Sequence, residues 1–185
     1  MLTQPQLVQQ LSATIGKTKV LELTKILKEQ QFALRDLIDI TFHEDKNIAF
    51  RAAWILENIF LITPERYVND LDYLVNRLKD VNYLSCQRHY VKIIMHITAP
   101  KAQHSIQLKL QEINLEPVIE HLFDWMIDPQ IKIAVKVFSS EALFNMRHRY
   151  AWIAEELANQ IRYLMRDGTA AIQSRGKKLL KQLNQ

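Results

Sequence analysis

One pattern constrains this chain more than any other: an amphipathic helix that returns four times with the same apolar spacing. The first copy follows Asp45 and sets Ile48, Ala52, Ile55, Leu56 and Ile59 on one face. A shift of 38 residues lands on Cys86, Tyr90, Ile93, Ile94 and Ile97, and a further 49 on Val135, Ser139, Ala142, Leu143 and Met146. A last shift of 37 gives Ile172, Gly176, Leu179, Leu180 and Leu183. Small or medium residues hold the second position and mostly large aliphatics the last two. Asp45, Asp80, Asp128 and Asp167 precede these helices, where a carboxylate accepts from free backbone amides and complements the positive helix end.

A second set of helices is predicted between them, at about residues 31–42, 64–79, 115–127 and 149–166. Leu71, Leu74, Val75 and Leu78 carry the stripe in the second of these, Ile119, Leu122, Phe123 and Met126 in the third, and Leu157, Ile161 and Leu164 in the fourth. Each unit is therefore a helical hairpin, which cannot bury its apolar faces alone and must stack on its neighbours. The single predicted domain, 1–185, divides into repeats 31–61, 64–97, 115–147 and 149–185. Helices near 4–13 and 17–29 make residues 1–30 a degenerate or capping repeat. About twelve extra residues break the period between the second and third repeats, so 98–114 is read as an insertion on one exposed edge, packed on its neighbours.

In its second helices, most clearly at Arg51, Ala52, Ala53, Trp54, Ile55 and Leu56, the chain resembles the HEAT/armadillo family of α-helical repeats. The resemblance covers roughly residues 31–185 and implies an all-α right-handed solenoid, an α-α superhelix of about five helical hairpins. It also implies that the second helices line the concave side. The family serves scaffolding, transport and nucleic-acid binding alike, so the fold alone does not select a function.

Charge narrows the choice. The segments holding the first helices sum to −7 and those holding the second helices to +8, within a net charge of +4. Combined with the resemblance, this predicts a basic inner surface and an acidic outer one, an electrostatic funnel for an anionic partner. A stripe beside the core face supplies Asn47, Arg51, Trp54 and Asn58 on the first second-helix and Ser85, His89, Lys92 and His96 on the next. The fourth copy reads Arg175, Lys178 and Gln182. The third reads Phe138, Glu141 and Asn145, with Lys132, Lys136 and Arg147 on the same helix. The predicted partner-binding residues are Arg51, Trp54, Asn58, His89, Lys92, His96, Lys132, Lys136, Arg147, Arg175 and Lys178.

Two readings follow. The first is a non-enzymatic scaffold that binds an acidic protein or peptide. The alternative is a nucleic-acid binder, in which cations hold phosphates and Trp54 stacks a base. A third and more distant reading is base excision, since one branch of HEAT-like proteins places tryptophans, an aspartate and an arginine around a cleft. Trp54, Trp125, Trp152, Asp124, Asp128 and Arg147 are the residue types present, but none aligns with that motif and no catalytic residue is assigned.

Other chemistries lack their residues. Gly16, Gly168 and Gly176 are isolated, so there is no phosphate-cradling loop. His89 and His96 stand seven apart and share a helix face, and His43 precedes Glu44 and Asp45, but neither set converges three or four ligands. No metal or cofactor is expected. Cys86, the lone cysteine, falls at a core position, which predicts an inert thiol and a reducing, cytoplasmic setting. No apolar window approaches the length of a membrane span, so a membrane partner is not expected. Oligomeric state is not legible.

Overall fold

The computed structural model describes residues 1–13 and 16–184; residues 14, 15 and 185 lie outside the described set. Among the described residues it contains eleven α-helices and two 3-10 segments, and the only β contact is an isolated bridge between Leu2 and Phe32. The chain is an all-α helical solenoid. Its helices are α1 (Gln4–Ser12), α2 (Gly16–Glu29), α3 (Leu34–Ile40), α4 (Lys46–Ile62), α5 (Leu71–Asn76), α6 (Leu84–Ile97), α7 (His104–Glu112), α8 (Glu116–Ile127), α9 (Ile133–Met146), α10 (Trp152–Met165) and α11 (Ala170–Leu183). The 3-10 segments, Pro64–Asp70 (η1) and Leu78–Asp80 (η2), flank α5.

The recurrent stripe builds one layer. Helices α2, α4, α6, α9 and α11 pack in that order, each against the next. All the stripe positions are buried except Leu180 and Leu183, which are half-buried on α11, the last helix of the row. At Gly176 the small second position explains how closely the helices approach, whereas its counterpart on α6 is the fully buried Tyr90. A Cβ on Gly176 would sit 2.5 Å from Met165 Sδ and 3.0 Å from Ile161 Cγ2, so α10 and α11 touch through the missing side chain. Ala49, Ala52 and Ala53 are likewise fully buried on α4.

The other layer holds α1, α3, η1, α5, α8 and α10, which close each hairpin from the far side. Prolines at the first turns of α1, η1 and α8 start these elements where a missing N–H costs nothing. Asp45 caps α4 as its type predicts, accepting from the Asn47 N–H at 2.8 Å. Two of the other predicted helix-start aspartates do different work. Asp128 accepts from the Gln130 N–H in the turn before α9, and Asp80 pairs with Arg77 at 2.8 Å.

The insertion is an ordered helix, α7, docked on η1 and α5. Ile106 and Leu110 bury its inner face. Its end is held by the Arg149 guanidinium, which donates to the carbonyls of Leu110 (2.6 Å), Gln111 (3.3 Å) and Ile113 (2.8 Å). The Leu110 carbonyl also accepts from the Ile113 N–H at 3.2 Å, and a cation at this terminus complements the negative end of the helix. The Gln107 amide donates back to Pro100 and Ala102, which fixes the approach to α7.

Candidate functional site

The amphipathic pattern that buries one face of α4 and α6 turns another face outward, and there the solenoid has a groove of about 770 Å³. Its walls come from four successive helices of one layer. Leu21 stands on α2; Lys46, Asn47, Phe50, Trp54, Glu57 and Asn58 on α4; Leu84, Ser85, Arg88, His89 and Lys92 on α6; and Lys132 at the start of α9. On α4 the positions 50, 54, 57 and 58 follow helical spacing, so one side of the helix faces the groove along two turns.

At its centre lies a charged cluster that the sequence did not single out. Glu57 is 7% exposed and His89 5% exposed. Glu57 Oε2 is 2.6 Å from His89 Nδ1, and the Lys92 ammonium donates to Glu57 Oε1. Burial alone raises the pKa of the Glu57 carboxyl, but the hydrogen bonds from His89 and Lys92, joined by their charges, hold it below the ordinary glutamate value. It stays ionised and accepts from both partners. Phe50, Trp54 and His89 stack around this cluster, with centroid separations of 5.5 Å for Phe50–His89, 5.7 Å for Phe50–Trp54 and 6.2 Å for Trp54–His89. These rings cover the ion pair and leave an aromatic wall.

Around that wall stand Lys46, Arg88, Lys92 and Lys132, four cations against the one carboxylate of Glu57. Lys46 lies over the Tyr83 ring at 5.8 Å. Among the described residues neither Arg88 nor Lys132 has an acidic partner, and both are exposed. The groove is therefore electropositive at its rim and neutralised at its floor.

Of the residues expected on a basic face, Trp54, Asn58, His89, Lys92 and Lys132 meet here. His96 lies one turn further along α6, in a separate cavity. Arg51 turns the other way and donates to the carbonyls of Leu11 and Ser12, both at 3.0 Å, so it terminates α1. Lys136 is 6% exposed and lines the cleft between α9 and α11 with Arg175, whose guanidinium pairs with Glu141 at 2.7 Å. Burial lowers the pKa of Lys136. Arg147 lies over the Phe144 ring at 3.6 Å and donates to the Phe144 carbonyl, in a hollow shared with Pro100 and Gln182. Lys178 is exposed on α11.

Leu21, Lys46, Phe50, Glu57, Leu84 and Arg88 are groove residues the sequence reading missed. Phe50 and Glu57 stand at 50, 54 and 57 with Trp54, a helical triplet a few tens of degrees around α4 from the stripe through Arg51. The signal that separates the two stripes is Arg51 itself, which only the fold assigns to α1.

Among the described residues no group of three or more His, Cys, Asp or Glu side chains is placed to hold a metal ion. No helix among them is long and apolar enough to cross a membrane. Cys86 is buried, and desolvation pushes its thiol up to about 11, which leaves it protonated and unreactive. Residues 7–183 match the model of a family described as a HEAT repeat domain. No curated protein matches the chain.

Proposed function

We propose that this chain, which belongs to the HEAT repeat domain family, is a non-enzymatic cytoplasmic scaffold whose second-helix groove binds an acidic protein or peptide segment. In this reading residues 1–30 form the terminal hairpin, 31–61, 64–97, 115–147 and 149–185 are the repeats, and 98–114 is the insertion. One observation carries the proposal: three cations besides the Glu57-paired Lys92, namely Lys46, Arg88 and Lys132, surround an aromatic wall in a groove that spans four helices. Carboxylates along an extended segment complement that rim, and the Trp54 and Phe50 rings supply apolar contact without demanding a particular side chain.

The buried carboxylate favours this reading over nucleic acid. Glu57 neutralises Lys92 at the groove floor, where a tightly packed phosphate backbone would need free cations. A peptide with spaced carboxylates engages the rim at Arg88 and Lys132 and leaves the floor intact. Of the remaining basic residues, Arg147 and Lys178 extend positive charge toward α11 and steer association more than they fix a register, while Arg175 is paired with Glu141.

The test is fluorescence anisotropy with a labelled Asp/Glu-rich peptide, single-stranded DNA and single-stranded RNA, across a salt series. Arg88→Glu combined with Lys132→Glu is run beside the unmodified protein. The proposal expects the peptide to bind and the double variant to lose it. Oligonucleotide binding with a steep salt slope, together with no peptide binding, would overturn the proposal in favour of the nucleic-acid reading.

A further inference from the structure

A second, separate cavity lies beyond the groove's Lys92 end. One turn further along α6 stands His96, and one turn beyond Asn58 on α4 stands Leu61. Both line a cavity of about 170 Å³ at the C-terminal ends of these helices, together with Phe60, Pro64, Ile97 and Ile106. The third wall is Lys101, Ala102 and Gln103, with Ile106 from the first turn of α7. All of these belong to the stretch that breaks the repeat period, so the insertion builds a cavity that a regular hairpin connection would lack.

Its interior and its mouth differ in chemistry. Phe60, Ile97 and Ile106 are buried and give it an apolar floor. An apolar cavity on the order of 150 Å³ accepts a group the size of benzene. At the mouth, Lys101 is exposed and His96 half-buried, and among the described residues neither has an acidic partner. An uncharged occupant would leave Lys101 unmatched, whereas a carboxylate beside the entering side chain complements it. A neutral hydrophobic ligand therefore fits this site less well than an amphiphilic one.

The geometry points to this cavity as the anchor site of the acidic segment: it takes one large aliphatic or phenyl side chain, flanked by carboxylates that face Lys101 and His96. The inference rests on the reading of the groove as a site for an acidic peptide. It adds what that reading lacks, a feature that fixes register, since rim charges alone orient a chain without specifying its position.

The titration state of His96 supplies a readout that a merely structural cavity would not move. Burial first, then the neighbouring Lys92 and Lys101 charges, lower its pKa, while Glu57 opposes them. A carboxylate seated at the mouth opposes these charges while the seated side chain adds burial, so the His96 titration changes on binding.

The experiment uses two short labelled acidic peptides that differ only in one central residue, leucine or alanine, titrated against the full chain. The leucine peptide is expected to bind roughly tenfold tighter, the value of burying one aliphatic side chain, and to shift the His96 titration followed by NMR. Ala102→Phe fills the cavity from a half-buried wall position, and is expected to bring the leucine peptide down to the affinity of the alanine peptide. Equal affinities on the unmodified protein, which does not depend on any variant folding, would overturn the anchor site while leaving the groove reading standing. Failure of both peptides to bind would overturn the two together.

Discussion

The Glu57 cluster makes the sharpest claim on stability, and Glu57→Gln tests it with almost no change in shape. In the folded protein Glu57 is nearly inaccessible and bonded to His89 and Lys92, whose side chains are 7% and 29% exposed. Removing one partner of a fully buried ion pair costs roughly 3–5 kcal/mol. Here the cost is smaller, because Lys92 reaches solvent and glutamine still presents a carbonyl to His89. A loss of about 2 kcal/mol is expected, the scale of a hydrogen bond to a charged group, read as a lower urea midpoint by circular dichroism with an unchanged m value. The pH dependence adds a second requirement. The folded-state pKa of Glu57 lies below the ordinary value of 4.5, so the unfolded chain takes up the proton first as the solution is acidified. The contribution of the pair is then complete above 4.5 and disappears as pH falls through the lower folded value. The gap between Glu57→Gln and the unmodified protein should be full near neutrality and shrink on acidification. A change below about 0.5 kcal/mol near neutrality, the scale of an ordinary surface substitution, would refute the account of the cluster.

Four further outcomes follow from particular contacts. Arg51→Ala leaves the Leu11 and Ser12 carbonyls without their donor, which is expected to cost about 1 kcal/mol and to speed amide exchange in α1 while acidic-peptide affinity stays unchanged. Arg149→Ala frees three carbonyls at the end of α7, so amide exchange is expected to rise across residues 104–113 first. Gly176→Leu forces a side chain against Met165 and Ile161; a loss of about 1–3 kcal/mol by denaturant titration is expected from overpacking. Cys86, with its thiol pushed up to about 11, is expected to resist a thiol reagent at mildly alkaline pH in the native state and to react once urea unfolds the chain.

The fold was legible because a solenoid writes its core at a fixed period. The stripe through Ile48 and Ile59, shifted to Cys86, Val135 and Ile172, marks the helices that pack into one row. The groove was legible only in part. Trp54, Asn58, His89, Lys92 and Lys132 line one groove on one row of helices. Arg51 does not, since its position on α4 faces the end of α1, a tertiary contact 40 residues away in sequence that no periodicity reports. Lys136 is similar: helical spacing leaves it beside the core stripe, but α11 closes over it. Glu57 escaped notice because an acidic residue on a basic helix lowers the charge sum. Its role as the acceptor for His89 and Lys92 exists only once α4 and α6 are packed together. The insertion announced itself as a break in period, but its helix, its Arg149 clasp and the cavity it walls required the fold.

The most direct measurement is a two-dimensional amide NMR titration of the isotope-labelled chain with a short Asp/Glu-rich peptide. If the second-helix groove is the binding surface, saturable shift changes will cluster at Phe50, Trp54, Arg88, His89, Lys92 and Lys132. Saturable changes confined to α1, α3, α5 and α8 on the opposite layer, or to α11 alone, would contradict the account.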